Sequence, residues 1–318
     1  MTKYIDTGKK DTRSGFGAGL LEAGKADGRI VALTADLKGS LKMNAFADAF
    51  PERFIQCGIA EANMVGVAAG LAITGKIPFI GSFAEFVTGR VYDQLRQEVA
   101  YGKANVKIAS SHAGITLGED GATHQTMEDI ALMRALPEMV VLAPCDYNQT
   151  LQATLAAAKY EGPVYLRFGR PAVPNFTPQD RPFEIGKAWV MNEGSDVSII
   201  ACGHLVWEAL QAAELLEAEG ISAEVVNMAT IKPLDEQALL ATAGKTGALV
   251  VAEEHNMAGG LGEAVAGVLA RELPTRVEFV NGADRFGQSG TPSALMKAYG
   301  LDAQHLAAAA KRALAHKK

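Results

Sequence analysis

Glu61 opens the segment Gly58-Ile59-Ala60-Glu61-Ala62-Asn63-Met64, which runs directly into Val65-Gly66-Val67-Ala68-Ala69-Gly70-Leu71-Ala72. A carboxylate at that point is either a first-turn charge favoured by the positive end of a helix dipole or a buried proton donor. Gly66, Ala68, Ala69 and Gly70 carry so little side chain that another helix or a subunit can approach closely. Such an approach would bury the acid, raise its proton affinity and suit it to general acid work near neutral pH. Phe83 and Phe86 follow, in Ser82-Phe83-Ala84-Glu85-Phe86, after the apolar run Ile77–Ile80. They serve equally as core aromatics or, at the carboxyl end of a strand where α/β proteins place ligands, as a surface for stacking on a planar heterocycle.

The stretch Ser111 to Gln125 carries two histidines (His112 and His124), two acids (Glu119 and Asp120) and three glycines. The histidine spacing matches neither a short metal loop nor one helical face, and cysteine is absent from the stretch, so a metal centre is disfavoured. A substrate loop fits better. Glycine lets backbone come close to a ligand, and imidazole can relay protons at neutral pH. Arg13, the segment Thr34-Ala35-Asp36-Leu37-Lys38-Gly39-Ser40 and Arg170 are unremarkable one by one. Together, arginines and a serine hydroxyl would suit a phosphate group.

These residues need elements to hold them. The 318 residues are 48% hydrophobic and 21% charged, enough for two ordinary domains. The net charge of -6 gives no reason to expect a nucleic-acid partner. Three dispersed cysteines argue for a reducing compartment, and the residues from Met1 lack a signal peptide's apolar core. No run is long and apolar enough to span a bilayer, so a cytoplasmic protein is expected. Short β-branched runs alternate with helical patterns throughout, which predicts an α/β fold of two doubly wound domains with mostly parallel sheets.

In the first domain, strands are expected at 30–33, 77–80, 106–110, 139–143 and 164–168. Helices are expected near 12–26, 60–73, 90–101, 126–135 and 147–159, the last capped by Asp146. The prolines of Pro171 to Pro178 break the rhythm. The expected division is residues 1–175, a linker at 176–185, and 186–318. The second domain should carry strands at 197–202, 223–228, 248–252 and 277–280, a helix from Leu205 to Glu219 closed by Gly220, and a helical tail at 303–315.

Taken together the motifs resemble the transketolase family, specifically its pyrimidine-binding and C-terminal domains, over essentially the whole chain. The resemblance implies that Glu61 faces the aminopyrimidine of thiamine diphosphate and that Phe83 and Phe86 pack on that ring. It places Asp36 and Arg90 on the cofactor side, and His112, Asp120 and His124 at the substrate, the histidines moving protons. Arg13, Ser40 and Arg170 match residues that hold the substrate's phosphate, with Arg167 as the other arginine of Leu166 to Arg170. The activity implied is transfer of a two-carbon ketol unit from a ketose phosphate to an aldose phosphate.

There are departures. Gly89 replaces an aromatic, Ala113-Gly114 replaces a more polar pair, and Arg90 to Gln94 looks closer to deoxyxylulose-phosphate synthase. No Gly-Asp-Gly diphosphate motif fits, so the chain is expected to be the second half of a split enzyme. An amino-terminal subunit would then hold the diphosphate with Mg2+ or Ca2+, in a heterotetramer built on a dimer of this chain. A β-subunit of a thiamine-dependent 2-oxoacid dehydrogenase and a non-catalytic paralogue remain as alternatives. No strand-to-helix Gly-x-Gly-x-x-Gly supports a plain nucleotide-binding fold.

Overall fold

The computed structural model describes residues 4–317 of the 318. Residues 1–3 and 318, the outer ends of the two expected units, lie outside the described residues.

Six strands form the parallel part of the first sheet: β1 (Ile30–Thr34), β2 (Phe54–Gln56), β3 (Ile77–Phe83), β4 (Lys107–Ser111), β5 (Val140–Leu142) and β6 (Val164–Arg167). The second unit supplies β7 (Trp189–Asn192), β8 (Val197–Ala201), β9 (Ala223–Asn227), β10 (Thr230–Lys232), β11 (Leu249–Ala252) and β12 (Val277–Val280). The first sheet runs β2-β1-β3-β4-β6-β5-β10 and the second β12-β11-β8-β9-β7. Strands β1, β4, β8 and β11 are buried along their whole length. That is what near-continuous apolar runs give when helices cover both faces of a parallel sheet.

Both faces are indeed covered. Phe16, Leu20, Ala153 and Ala157, from helices Thr12–Ala26 and Tyr147–Lys159, pack on Ile30, Phe79 and Leu166. Gly15 and Gly19 let those two helices touch, because a Cβ at either would strike Tyr147 or Thr154. On the other face Met64, Val65, Val99 and Met133 pack on Val31, Ile80 and Ile108. That core continues without a break into the second unit through Ile200, Val226 and Val251.

Two expectations change. The single helix expected over 90–101 is instead one turn of α-helix, Tyr92–Gln94, followed by a π-helical stretch, Leu95–Tyr101. The wider turn still buries Leu95, Val99 and Ala100, and π-helical turns are frequent at functional sites. The first sheet is also not confined to its own unit. β10, from the C-terminal segment, pairs antiparallel with β5 (Thr230 opposite Leu142, Lys232 opposite Val141) and completes the first sheet. Lys232 Nζ then donates to the carbonyls of Arg134 and Leu136 at 2.9 and 2.5 Å, closing the end of helix Asp129–Ala135.

The small-residue helix, Glu61–Ile73, keeps an uncovered face. Ala68 and Ala69 point into the chain's own core, while Ala62, Asn63, Gly70 and Ile73 are exposed. Ile59, just before it, is 77% exposed and Ile73 85%. Among the described residues no helix is long and apolar enough to cross a membrane.

Candidate active site

The sequence candidates stand where neighbouring parallel strands end. Asp36 and Ser40 follow β1, Glu61 follows β2, Phe83 is the last residue of β3, His112 follows β4 and Arg170 follows β6. The strand order reverses between β1 and β3, and open α/β sheets form their binding crevice outside such a switch point.

Glu61 is the first residue of its helix and only 3% exposed. It is not the lone buried acid that the sequence suggested. Arg90 Nη1 donates to both carboxylate oxygens at 3.2 Å, from a side chain that is itself half exposed. The same guanidinium lies over the Phe86 ring, 4.1 Å from its centroid. Phe86 stacks on Phe83 (5.8 Å, 23°), and Phe83 stacks in turn on His112 (3.8 Å, 28°). The expected two-ring platform is therefore the middle of a longer stack, with His112 at one end and Arg90 at the other. His124 meets both rings edge-on, 5.4 Å from Phe86 and 6.5 Å from Phe83. Beside them, burial and the neighbouring Glu128 push the Glu85 carboxyl above its usual range.

His112 has a positive φ of 60° and is 3% exposed, its Nδ1 2.6 Å from Ser111 Oγ. Burial, then the charges of Arg13, Arg170 and His124, push its pKa down to about 3. That holds the imidazole in its neutral form near neutral pH. Arg13 and Arg170 converge on it. Burial lowers the Arg13 pKa and Arg170 lowers it further, while Asp11 at 3.2 Å acts in the opposite direction. Arg13 Nη1 donates to the Ser40 carbonyl at 3.2 Å, which brings that backbone to the arginines. Arg170 Nη1 donates to the Leu117 carbonyl and to Glu119, both at 2.8 Å.

Asp36 and Asp120 stand apart from this cluster. Asp120 is exposed. Asp36, at φ 62°, is clamped by Gln56, which accepts from its N–H at 2.8 Å and also from Gly58 N–H at 3.2 Å. Gln56 is therefore a support that sequence reading missed. It sits on a three-residue strand with no periodicity to flag it.

Arg167 is excluded as the anion-binding arginine of Leu166 to Arg170. Its Nε donates to Asp129 at 2.7 Å and its Nη2 to the Glu254 carbonyl at 2.7 Å, both buried. Tyr165 Oη adds a 2.6 Å bond to the same Asp129 oxygen. Asp129→Ala would leave a buried cation unpaired, a change that typically costs about 3–5 kcal/mol. Denaturant unfolding should show a loss of that order, and a loss below about 1 kcal/mol would mean that water reaches Arg167.

Glu253-Glu254-His255-Asn256 has structural work in this region. Glu253 accepts from Leu261 and Gly262 N–H (2.6 and 2.8 Å) at the start of helix Leu261–Glu272. His255 Nε2 accepts from Ala131 N–H at 3.3 Å. Gln125 ties the substrate loop to the C-terminal segment, its Nε2 donating to the carbonyls of Ile115, Gly118 and Gln288.

Comparison with known proteins identifies the family. The transketolase pyrimidine-binding domain model matches residues 8–175, and the transketolase C-terminal domain model matches residues 186–306. A putative transketolase C-terminal section of Methanocaldococcus jannaschii is 48% identical over 301 residues, 94% of either chain. A 6-deoxy-6-sulfo-D-fructose transketolase subunit of a Clostridium strain is 45% identical, covering 92% of this chain and 90% of that one. A solved structure described as a split gene transketolase, inactive β4 tetramer, is 50% identical with a TM-score of 0.91, covering 97% of this chain and 99% of that one. The chain belongs to the transketolase family and carries its pyrimidine-binding and C-terminal domains.

Proposed function

We propose that this chain is the pyrimidine-side subunit of a split, thiamine-diphosphate-dependent transketolase that moves a two-carbon ketol unit from a ketose to an aldose acceptor. Residues 1–175 and 186–318 act as its two units, joined at 176–185. A partner chain supplies the diphosphate-binding domain with its Mg2+ or Ca2+. The reading rests on one observation above all: Glu61, buried, gripping a flat nitrogen-bearing group laid on Phe86. Here that group is Arg90's own guanidinium. The same donor set fits an aminopyrimidine, which is also flat and carries nitrogen at its edge.

When bound, thiamine diphosphate supplies the electron sink for breaking the ketose carbon–carbon bond. This chain's residues do the rest of their half. Glu61 holds a proton against a ring nitrogen, and Arg90, half exposed, turns aside to admit the ring. Neutral His112 gives a directional hydrogen bond to the substrate's oxygens, while His124, less buried, moves protons there. Arg13, Ser40 and Arg170 hold the distal anion, so that binding energy orients the reacting end. The Clostridium relative is named for a sulfonated ketose, and two arginines read an anion's charge whether it is a phosphate or a sulfonate. Asp36 supports the cofactor side through Gln56, and Asp120 meets the acceptor sugar from the loop surface. The uncovered face of helix Glu61–Ile73, flanked by Ile59 and Ile73, is where a second copy docks to build the heterotetramer in the cytoplasm.

The test is a donor panel with the two chains reconstituted. Ketoses bearing phosphate or sulfonate should exceed the uncharged ketose in kcat/KM by about 100-fold, and Arg170→Ala should erase most of that gap. Equal turnover of charged and uncharged donors would overturn the anion site. Turnover of 2-oxo acids with an oxidant, and of no ketose, would replace the transketolase reading altogether.

A further inference from the structure

The second sheet changes direction between β8 and β11, and the crevice outside such a pair of strand ends is where open α/β sheets bind ligands. In this chain His204 lies just past β8 and Glu254 just past β11. What fills the crevice is the chain's own substrate loop. Glu254 Oε1 accepts the Thr116 N–H at 2.6 Å. Gly114, at φ 80°, presses so close to the Glu254 carboxyl that a Cβ there would overlap it. Gly169 lies against the His204 ring in the same way.

Both contacts lead to Arg170. Thr116 is the middle of the 3-10 turn Ile115–Leu117, whose Leu117 carbonyl takes the Arg170 hydrogen bond. Gly169 is Arg170's chain neighbour. Glu254 and His204 are 3% and 8% exposed, with His204 Nδ1 3.7 Å from Glu254 Oε2 and neither ring nitrogen hydrogen-bonded. Burial raises the Glu254 pKa and lowers that of His204 to about 4. An acid and an imidazole kept this dry form a firm surface for a loop to rest on.

We propose that Glu254 is a positioning residue: it fixes the turn Ile115–Leu117 and, through that turn, sets Arg170 to receive the substrate's anion. The inference rests on the preceding reading of Arg170 as an anion-binding residue. It gives the C-terminal domain a part in substrate selection.

Three variants of the reconstituted two-chain enzyme test it. Glu254→Gln keeps an oxygen at the same reach, Glu254→Asp keeps the charge but withdraws it, and Glu254→Ala removes both. Ala and Asp should raise KM for a phosphorylated ketose roughly 10-fold or more, the usual effect of losing a hydrogen bond to a charged group. In both variants kcat, and KM for the uncharged ketose, should stay within about threefold of wild type, as should every constant of the Gln variant. Placed on Arg170→Ala, the Ala variant should add nothing further to KM, because both changes act through one group.

Equal KM rises for charged and uncharged ketoses, a full effect in the Arg170→Ala background, or a Gln variant as impaired as Ala would each overturn the proposal. If Glu254→Ala does not fold, Glu254→Asp carries the comparison. Should wild type turn over no ketose, the functional reading fails separately. Hydrogen exchange at the Thr116 amide then decides positioning alone. Exchange at least about 10-fold faster in the Asp variant, with Gln unchanged, supports it, and unchanged exchange in both overturns it.

Discussion

Replacing Glu61 with glutamine is expected to lower kcat of the reconstituted enzyme by about 10²- to 10⁴-fold, the range that one positioned proton-transfer group contributes. Folding and assembly should survive. The amide has nearly the volume of the acid, so the buried position at the start of helix Glu61–Ile73 stays filled. Arg90 loses half of its pair, but half of its side chain already meets solvent and it can turn to water. Phe86 and Phe83 should keep their stack, which is made between the two rings themselves. What disappears is a group able to hold a proton and give it up. Steady-state kcat, measured beside sedimentation of the complex and a thermal unfolding scan, separates these effects. Near wild-type turnover would show that Glu61 is an ordinary buried ion-pair partner of Arg90. Loss of the complex would show it to be an assembly residue.

The same stretch shows what the sequence made legible. Helices Thr12–Ala26 and Ala303–Ala315 cover the stretches expected to be helical, the second from its alanine content. Asp146 caps its helix as expected, accepting from Gln149 N–H at 2.8 Å. It also accepts from Phe176 and Thr177 N–H, so one local signal concealed a second, long-range role at the linker. That is the general pattern here. Local propensity places the strands that lead to Phe83, His112 and Arg170, but not the three-residue strand Phe54–Gln56 that leads to Glu61. Nothing local states that Thr230–Lys232 will leave its own unit to pair with β5, or that Glu254 will reach Thr116. Nor could spacing distinguish Arg167 from Arg170. They lie three residues apart at the end of one strand, and only burial beside Asp129 removes the first from the site. The Arg90–Glu61 pair was hidden for a similar reason, since its partners are 29 residues apart on different elements.

Purified alone and given thiamine diphosphate with Mg2+, the chain is expected to show no ketol transfer above background, with a gain of at least about 10³-fold when the diphosphate-binding chain is added. A diphosphate needs a cation and hydrogen-bond donors at the far end of the cofactor. Arg13 and Arg170 already have Asp11 and Glu119 beside them. In the proposed reading Glu61, Phe86 and Arg90 would meet only the flat ring of the cofactor. A ring held by stacking and one carboxylate, with its diphosphate in water, binds weakly and turns freely, and free rotation forfeits the alignment that catalysis requires. Titrating the partner chain should therefore raise activity to a plateau at a fixed stoichiometry. Thiamine diphosphate affinity, followed by calorimetry, should rise along the same curve. Transfer by a verified single-chain preparation would mean that this chain completes a diphosphate site by itself. The exposed face carrying Ile59 and Ile73 would then be the place to look for it, between two copies of the chain.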